Sequence, residues 1–117
     1  MSFRYTLFLV LRRYQYLYEK RDEEFPIPLA IGMTIRMVFD VGPVDDAGKV
    51  KQSEHIFEVR GLHYDQRTKT FSAQLLVPRE RSDFEVAASV SSPFNEWRLW
   101  EFGHEPRGFP LSWRLPR

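Results

Sequence analysis

Hydrophobic and polar residues alternate most regularly between His55 and Val77, which predicts a β-hairpin. Apolar side chains occupy every second position on both arms: Phe57 and Val59, then Phe71, Ala73, Leu75 and Val77. A period of two places alternate side chains on opposite faces of a strand. The wholly polar segment Asp65–Lys69 separates the arms and predicts the turn. We therefore expect Phe57 and Phe71 to face the core, with the other strands packed beside this hairpin.

The alternation changes phase at Gly61. Apolar positions are odd-numbered before this residue and even-numbered after it, at Leu62 and Tyr64. One extra residue in a strand forms a β-bulge, and glycine accepts the required backbone conformation readily. The sequence thus predicts a bulge at Gly61 that bends the strand and helps to close the sheet.

Residues 3–18 fit two patterns. As a strand, the odd positions up to Leu11 share one face, and the tyrosines from Tyr14 to Tyr18 continue in the opposite phase, which requires a bulge near Arg12–Arg13. As a helix, apolar residues at intervals of three and four form an equally regular stripe. Aromatic and β-branched residues fill the segment and alanine is absent, so we favour the strand.

Later segments supply further strands and one helix. Met33–Phe39 is predicted to be a strand with its odd-numbered residues inward, and Phe84–Val90 a weaker strand. Ser92–Pro93 is a helix-start signal, because the serine hydroxyl can accept a free backbone N–H and proline needs no partner there. Gly103 suits a left-handed cap at the helix end. A short helix is therefore predicted at residues 93–102.

The C-terminal tail, residues 104–117, is too apolar to be disordered. Despite three prolines it keeps an alternating apolar strip: Phe109, Leu111, Trp113 and Leu115. We interpret it as an extended arm that packs on its own sheet or on a neighbour. The predicted fold is a single mainly β domain over residues 1–117, a small antiparallel barrel or open roll of five to six strands with one short C-terminal helix. Residues 92–117 would form that helix and the arm.

The composition is that of a folded protein without excess charge. A chain of 117 residues can bury one core, and 43% of its residues are hydrophobic and 15% aromatic. The formal net charge is only +1, so no general attraction to nucleic acid or anionic lipid follows. The absence of cysteine excludes disulfides and thiolate sites. The apolar run Leu7–Leu11 is too short for a signal peptide or membrane span, so we expect a cytoplasmic protein without membrane contact.

No motif in the chain predicts catalysis or cofactor binding. His55, His63 and His104 have no carboxylate at a metal-binding spacing, and no serine lies in a nucleophile elbow. The six glycines never lie within four residues of one another, so no phosphate-binding loop is present. We therefore expect no enzyme activity, no metal and no cofactor. A ligand-binding barrel or small enzyme remains the third hypothesis.

Aromatic and arginine side chains concentrate towards the C-terminus. Because Trp, Tyr and Arg dominate the energy of protein interfaces, this clustering predicts association with a protein. The residues expected to bind the partner are Trp97, Arg98, Trp100, Phe109, Trp113 and Arg114. The first hypothesis is a non-catalytic binding or adaptor domain, with a homodimer as one form. The competing interpretation places these aromatic side chains in the core.

A single-stranded nucleic-acid binder is the alternative function. Small barrels bind single strands by stacking bases on exposed aromatic rings within a basic groove. The candidate residues are Arg12, Arg13, Tyr14, Tyr16, Tyr18, Arg60, Arg67 and Lys69. The near-zero net charge and the neighbouring acidic residues weaken the field that such binding needs, so this hypothesis ranks second.

Overall fold

A computed structural model of the chain describes residues 2–77, 83–92 and 95–114. Within these residues the chain forms six β-strands and one α-helix. The strands are β1 (Phe3–Leu11), β2 (Tyr16–Phe25), β3 (Thr34–Val44), β4 (Val50–Asp65), β5 (Thr70–Leu76) and β6 (Arg98–Glu101), and the helix is α1 (Asp83–Val90). Single 3-10 turns lie at Arg12–Tyr14 and Leu111–Arg114. The predicted mainly β class is confirmed.

The six strands form one sheet in the order β3-β4-β5-β1-β2-β6, curled into a half-barrel. This is the predicted open roll with one helix. Neighbouring strands are antiparallel except β1 and β5, which run parallel from Thr6 opposite Ser72 to Leu9 opposite Leu75. The sheet is therefore mixed, because two antiparallel units, β3-β4-β5 and β1-β2-β6, meet side by side through β5 and β1.

The N-terminal segment is strand rather than helix, as favoured, but the predicted bulge near Arg12–Arg13 is wrong. The 3-10 turn there, followed by Gln15 at φ 55°, reverses the chain and makes β1 and β2 a hairpin. Tyr16 then pairs with Leu11, and Tyr18 with Leu9. The opposite phase of the tyrosines is thus explained by the reversal, which returns them to the face of the odd-numbered leucines.

The α-helix forms where a weak strand was predicted. Val86 and Val90 are both buried and lie four residues apart, so one face of a helix presents both to the core. The same two residues also satisfy a period of two, which is why the sequence pattern was ambiguous. Phe84 and Ala88, which a strand would have turned inward as well, are exposed.

The predicted helix at residues 93–102 is also wrong, because Arg98–Glu101 forms the edge strand β6. Residues 93 and 94, which carried its start signal, lie outside the described residues. The spacing of Trp97 and Trp100 suited one face of a helix. In an extended chain the same spacing sends the two rings to opposite faces, and they pack in different hydrophobic clusters.

Each face of the sheet carries one hydrophobic cluster. The first cluster, on the face that α1 covers, includes Tyr5, Leu7, Leu9, Leu11, Tyr18, Phe39, Phe57, Val59, Ala73, Leu75, Val86 and Val90. The second cluster, on the opposite face, consists of Phe8, Val10, Leu17, Phe109 and Trp113. The run Leu7–Leu11 is therefore buried on both faces, which explains its uninterrupted apolar sequence.

The predicted bulge at Gly61 is confirmed. Val59 pairs with Leu75 and Gly61 with Gln74, so the β4 strand has one extra residue at this point. The bulge turns Gly61 towards Trp113 of the C-terminal arm. A β-carbon on Gly61 would lie 2.9 Å from Trp113 Nε1 and 3.1 Å from Gln74 Oε1. Glycine is required here by the close approach of the indole ring.

Replacing Gly61 with alanine should destabilise the protein by about 1–3 kcal/mol, because the added methyl overpacks a buried site. Urea unfolding of both proteins measures this difference. In a Trp113→Phe background the same substitution should cost less, since the indole atoms nearest the methyl are gone. If the alanine substitution lowered the free energy of unfolding equally in both backgrounds, the Trp113 indole would not be the group that the added methyl meets.

Candidate functional site

Two of the predicted partner-binding residues lie in the interior of the chain. Phe109 and Trp113 are buried, and their rings pack edge-on against Phe8 at centroid distances of 5.0 and 6.2 Å. The Trp113 carbonyl accepts a hydrogen bond of 3.0 Å from Gln74 Nε2. These contacts attach the arm to its own sheet, so neither ring is at the surface to meet a partner.

Arg114 and Trp97 also contact their own chain. Arg114 Nη1 forms an ion pair of 3.1 Å with the buried carboxylate of Glu105. Trp97 is half-buried and its ring lies 6.1 Å from that of Phe39 on β3. Beside it, the Asn95 amide hydrogen-bonds both backbone groups of Asp40, so residues 95–97 cover part of the β3 edge.

Arg98 and Trp100 are the members of the predicted set that lie on β6; Arg98 is exposed and Trp100 is half-buried. The Arg98 guanidinium stacks over the Trp100 ring at 4.2 Å from its centroid. The indole N–H of Trp100 donates to Glu19 Oε1 at 3.2 Å, which fixes the ring. Leu99, between them, points to the other face and is 51% exposed.

Strand β6 has a free backbone edge. It is the terminal strand of the sheet and pairs with β2 alone among the described residues. The Phe102 N–H donates to the Gln15 carbonyl at 2.8 Å. Because backbone groups alternate in direction along a strand, those of Trp100 also point to β2 and those of Leu99 point away from the sheet. Leu99 thus presents one donor and one acceptor to a neighbouring chain.

The predicted nucleic-acid residues of the first hairpin are divided between the two faces. Arg12 Nη2 donates to the Trp113 carbonyl at 3.4 Å, on the side of the second cluster. Tyr14 and Tyr16 pack against the first cluster and stack on each other at 5.4 Å, while Tyr18 is buried. The structure therefore does not bring the arginine and the tyrosines together on one binding surface.

The remaining predicted nucleic-acid residues are exposed. Arg13 lies in the β1–β2 turn, and Arg60, Arg67 and Lys69 lie on the β4–β5 hairpin. Arg60 is paired with Glu58 on the same strand at 3.4 Å. These cations have no stacked aromatic ring beside them among the described contacts.

A serine and a histidine meet between α1 and the sheet. His55 Nε2 lies 2.8 Å from Ser89 Oγ and 3.2 Å from Ser53 Oγ. The Ser89 hydroxyl also contacts the Glu85 carbonyl, and both His55 and Ser89 are more than nine-tenths buried. Because no substrate can reach the hydroxyl in this position, we interpret the contact as one that attaches the helix to β4.

Within the part of the chain that the structure describes, no three His, Asp or Glu side chains lie close enough together to hold a metal ion. In the same residues, no helix has the length and apolar character needed to span a membrane. On β3 and β4, the exposed Arg36 and Glu54 form a hydrogen-bonded ion pair. The hydrogen bond, more than the charge, lowers the pKa of Glu54 and raises that of Arg36.

The sheet opens at the start of the parallel pair, a feature that the sequence did not predict. Pairing of β1 with β5 begins at Thr6 and Ser72. Before that point β1 pairs only with β2, and β5 only with β4. We call the gap between the two strands the split. It is bounded by residues 3–6 on one side and 69–72 on the other.

A cavity lies on each side of the split. The aromatic groove, of about 600 Å³, is lined mainly by Phe3, Arg4, Tyr5, Pro28, Lys69 and Phe71. The hydroxyl cleft, of about 390 Å³, is lined mainly by Arg21, Thr68, Thr70, Ser72, Arg107 and the buried Glu19. Thr6, Asp22 and Thr70 line both cavities, so the two adjoin at the split.

Phe71 is an exposed aromatic residue that lines the groove. It occupies the predicted face of β5, but the prediction that it is core is wrong, because it is 54% exposed. Its ring lies 4.7 Å from Tyr64 and 6.1 Å from Tyr5.

No protein-family model matches the sequence, and no match was found among curated proteins or solved structures. The proposals that follow therefore rest on the geometry of this chain alone.

Proposed function

We propose that the chain is a non-catalytic binding domain that associates with a protein through the edge strand β6. The observation that carries the proposal is the free backbone edge at Leu99, flanked by the Arg98–Trp100 pair. An extended segment of the partner would continue the sheet beside β6. A second copy of the chain is one such partner.

The backbone at Leu99 supports strand addition. Its N–H and C=O point away from β2, so a neighbouring strand can form both hydrogen bonds without disturbing the existing pair. Such an edge supplies affinity through the main chain, while side chains on either face select the partner. The edge is short, at four residues, so the side chains must contribute much of the binding energy.

The side chains at β6 suit an interface. Trp100 is held by Glu19 at its indole N–H and by Arg98 over its ring, so little rotational freedom is lost when a partner covers it. Tryptophan and arginine are enriched among residues that dominate interface energy. Leu99 offers an exposed apolar contact on the other face. A partner strand with apolar residues on both faces would contact Arg98, Leu99 and Trp100.

Leu99→Pro should abolish partner binding while preserving the fold. Proline removes the outward N–H and is tolerated on an edge strand, where that N–H is not used by the sheet. The matched control is Leu99→Val, which keeps the N–H and a branched apolar side chain. Size-exclusion chromatography with light scattering tests self-association of each protein, and affinity capture tests other partners.

The expected result is that wild type and Leu99→Val form the same dimer or retain the same proteins, whereas Leu99→Pro does neither. Circular dichroism and thermal melts of the variants show whether the fold is preserved. If all three proteins behave alike in both assays, β6 is not the contact and the proposal fails.

A further inference from the structure

We propose that the split between β1 and β5 binds a small anionic amphiphile, a monocarboxylate with an alkyl chain. The chain would occupy the aromatic groove and the carboxylate would lie in the hydroxyl cleft. The cleft shares Glu19 with the surface at β6, because that carboxylate also holds Trp100, but the site does not depend on the function proposed for that strand.

The aromatic groove has the lining that an alkyl chain requires. Phe3, Tyr5 and Phe71 surround it, and Phe71 remains half-exposed although it points to the face of the core. A large apolar side chain beside a cavity of several hundred Å³ is typical of sites for small apolar ligands. An alkyl chain in the groove would remove the Phe71 ring from water.

The hydroxyl cleft offers donors for the carboxylate. The hydroxyls of Thr68 and Thr70 lie 2.7 Å apart and bond to each other. One proton suffices for that bond, so the other hydroxyl can donate into the cleft. Ser72, which carries a third hydroxyl, also lines the cleft. These groups favour an acceptor-rich head group.

The cleft has a cation for the carboxylate. It is lined by Arg21 and Arg107 against Asp22 and Glu19, whereas Arg4, which is paired with Glu24 at 2.7 Å, and Lys69 line the groove. Glu19 is already engaged by Trp100 Nε1 and Arg21 Nε, each at 3.2 Å. An anion in the cleft would therefore meet Arg107 and the hydroxyls as its main partners.

The dimensions point to a single small molecule. Two adjoining cavities of about 600 and 390 Å³ match a ligand with one apolar part and one polar part. The shared residues Thr6, Asp22 and Thr70 lie where the two parts of the ligand would join.

Calorimetric titration with decanoate, decan-1-ol and inorganic phosphate tests the site. Decanoate should bind with one-to-one stoichiometry, decan-1-ol at least about tenfold more weakly, since it lacks the charge, and phosphate without detectable affinity, since it lacks the chain. In ¹H–¹⁵N spectra, decanoate should shift the amides of Thr6, Thr70 and Phe71 and leave that of Leu99, which points away from the sheet, unchanged. The Leu99→Pro variant should bind decanoate as well as wild type.

Two variants, each with a matched control, test the alkyl-chain site and the head-group site separately. Phe71→Ala should weaken decanoate and decan-1-ol alike by roughly tenfold, whereas Phe84→Ala, which removes an exposed phenylalanine on α1, should weaken neither. Arg107→Gln should weaken decanoate about fivefold or more and leave decan-1-ol unchanged, with Arg13→Gln as its control.

Absence of saturable decanoate binding overturns the proposal. Equal losses for Phe71→Ala and Phe84→Ala would exclude the groove as the chain site. Equal affinity for decanoate and decan-1-ol would exclude the cleft as the head-group site.

Discussion

Replacing Phe57 with alanine should lower the free energy of unfolding by about 3–5 kcal/mol. The Phe57 ring is fully buried in the first cluster, next to Phe39 at a centroid distance of 6.1 Å, and its position on β4 faces the helix-covered side of the sheet. Removing it leaves a cavity that the surrounding strands cannot fill. Urea unfolding, monitored by tryptophan fluorescence, gives the difference.

Phe71→Ala is the matched control, because it removes the same side chain from the neighbouring strand. Phe71 is half-exposed at the split, so its loss should cost about 1 kcal/mol or less. Glu58→Ala, beside Phe57 but turned to the other face, should also be close to neutral. If Phe57→Ala and Phe71→Ala were equally costly, the assignment of Phe71 to an open groove would be wrong.

Trp113→Ala should have an effect of similar size, about 3–5 kcal/mol, from the opposite face of the sheet. The indole contacts Phe8 and Phe109 and lies directly over Gly61. Without it, both the second cluster and the space above the bulge are left unfilled. The C-terminal arm should then also be cut more rapidly by protease, because its anchor is gone.

Leu111→Ala is the control for this variant. Leu111 lies in the same 3-10 turn but is exposed, so its removal should be nearly neutral. If Trp113→Ala left stability and protease resistance unchanged, contacts other than those of Trp113 would attach the arm to the sheet.

The local features of the fold could be predicted from the sequence. The hairpin of β4 and β5 followed from a period of two around a polar turn, and the bulge followed from the change of phase at Gly61. The local pattern did not predict which side chain packs against Gly61. Trp113 is far from Gly61 along the chain, and no periodicity connects a glycine to the ring that requires it.

Two elements were assigned to the wrong class because short apolar patterns satisfy both periods. Val86 and Val90 fit a helix and a strand equally, and the packing of α1 on the sheet decides between them. Trp97 and Trp100 fitted one helical face, yet strand pairing with β2 separates them. In both cases tertiary contacts outweighed a pattern too short to be decisive.

The candidate sites depended on tertiary structure even more strongly. The sequence identified the C-terminal aromatic and arginine residues as a group, but Phe109 and Trp113 are buried, Trp97 and Arg114 contact other parts of the chain, and Arg98 and Trp100 lie on the edge strand. The split was not predictable, because it arises where two strands distant in sequence cease to pair.

The double burial of Leu7–Leu11 has a consequence for synthesis of the chain on the ribosome. This segment leaves the ribosome before the elements that cover its two faces, α1 and the arm with Phe109 and Trp113, because both follow it in the chain. Until then the nascent β1–β2 hairpin presents apolar surface on both sides. Such exposure favours aggregation, so we expect chaperones to bind this hairpin during translation and to release it only after the arm with Trp113 has left the ribosome.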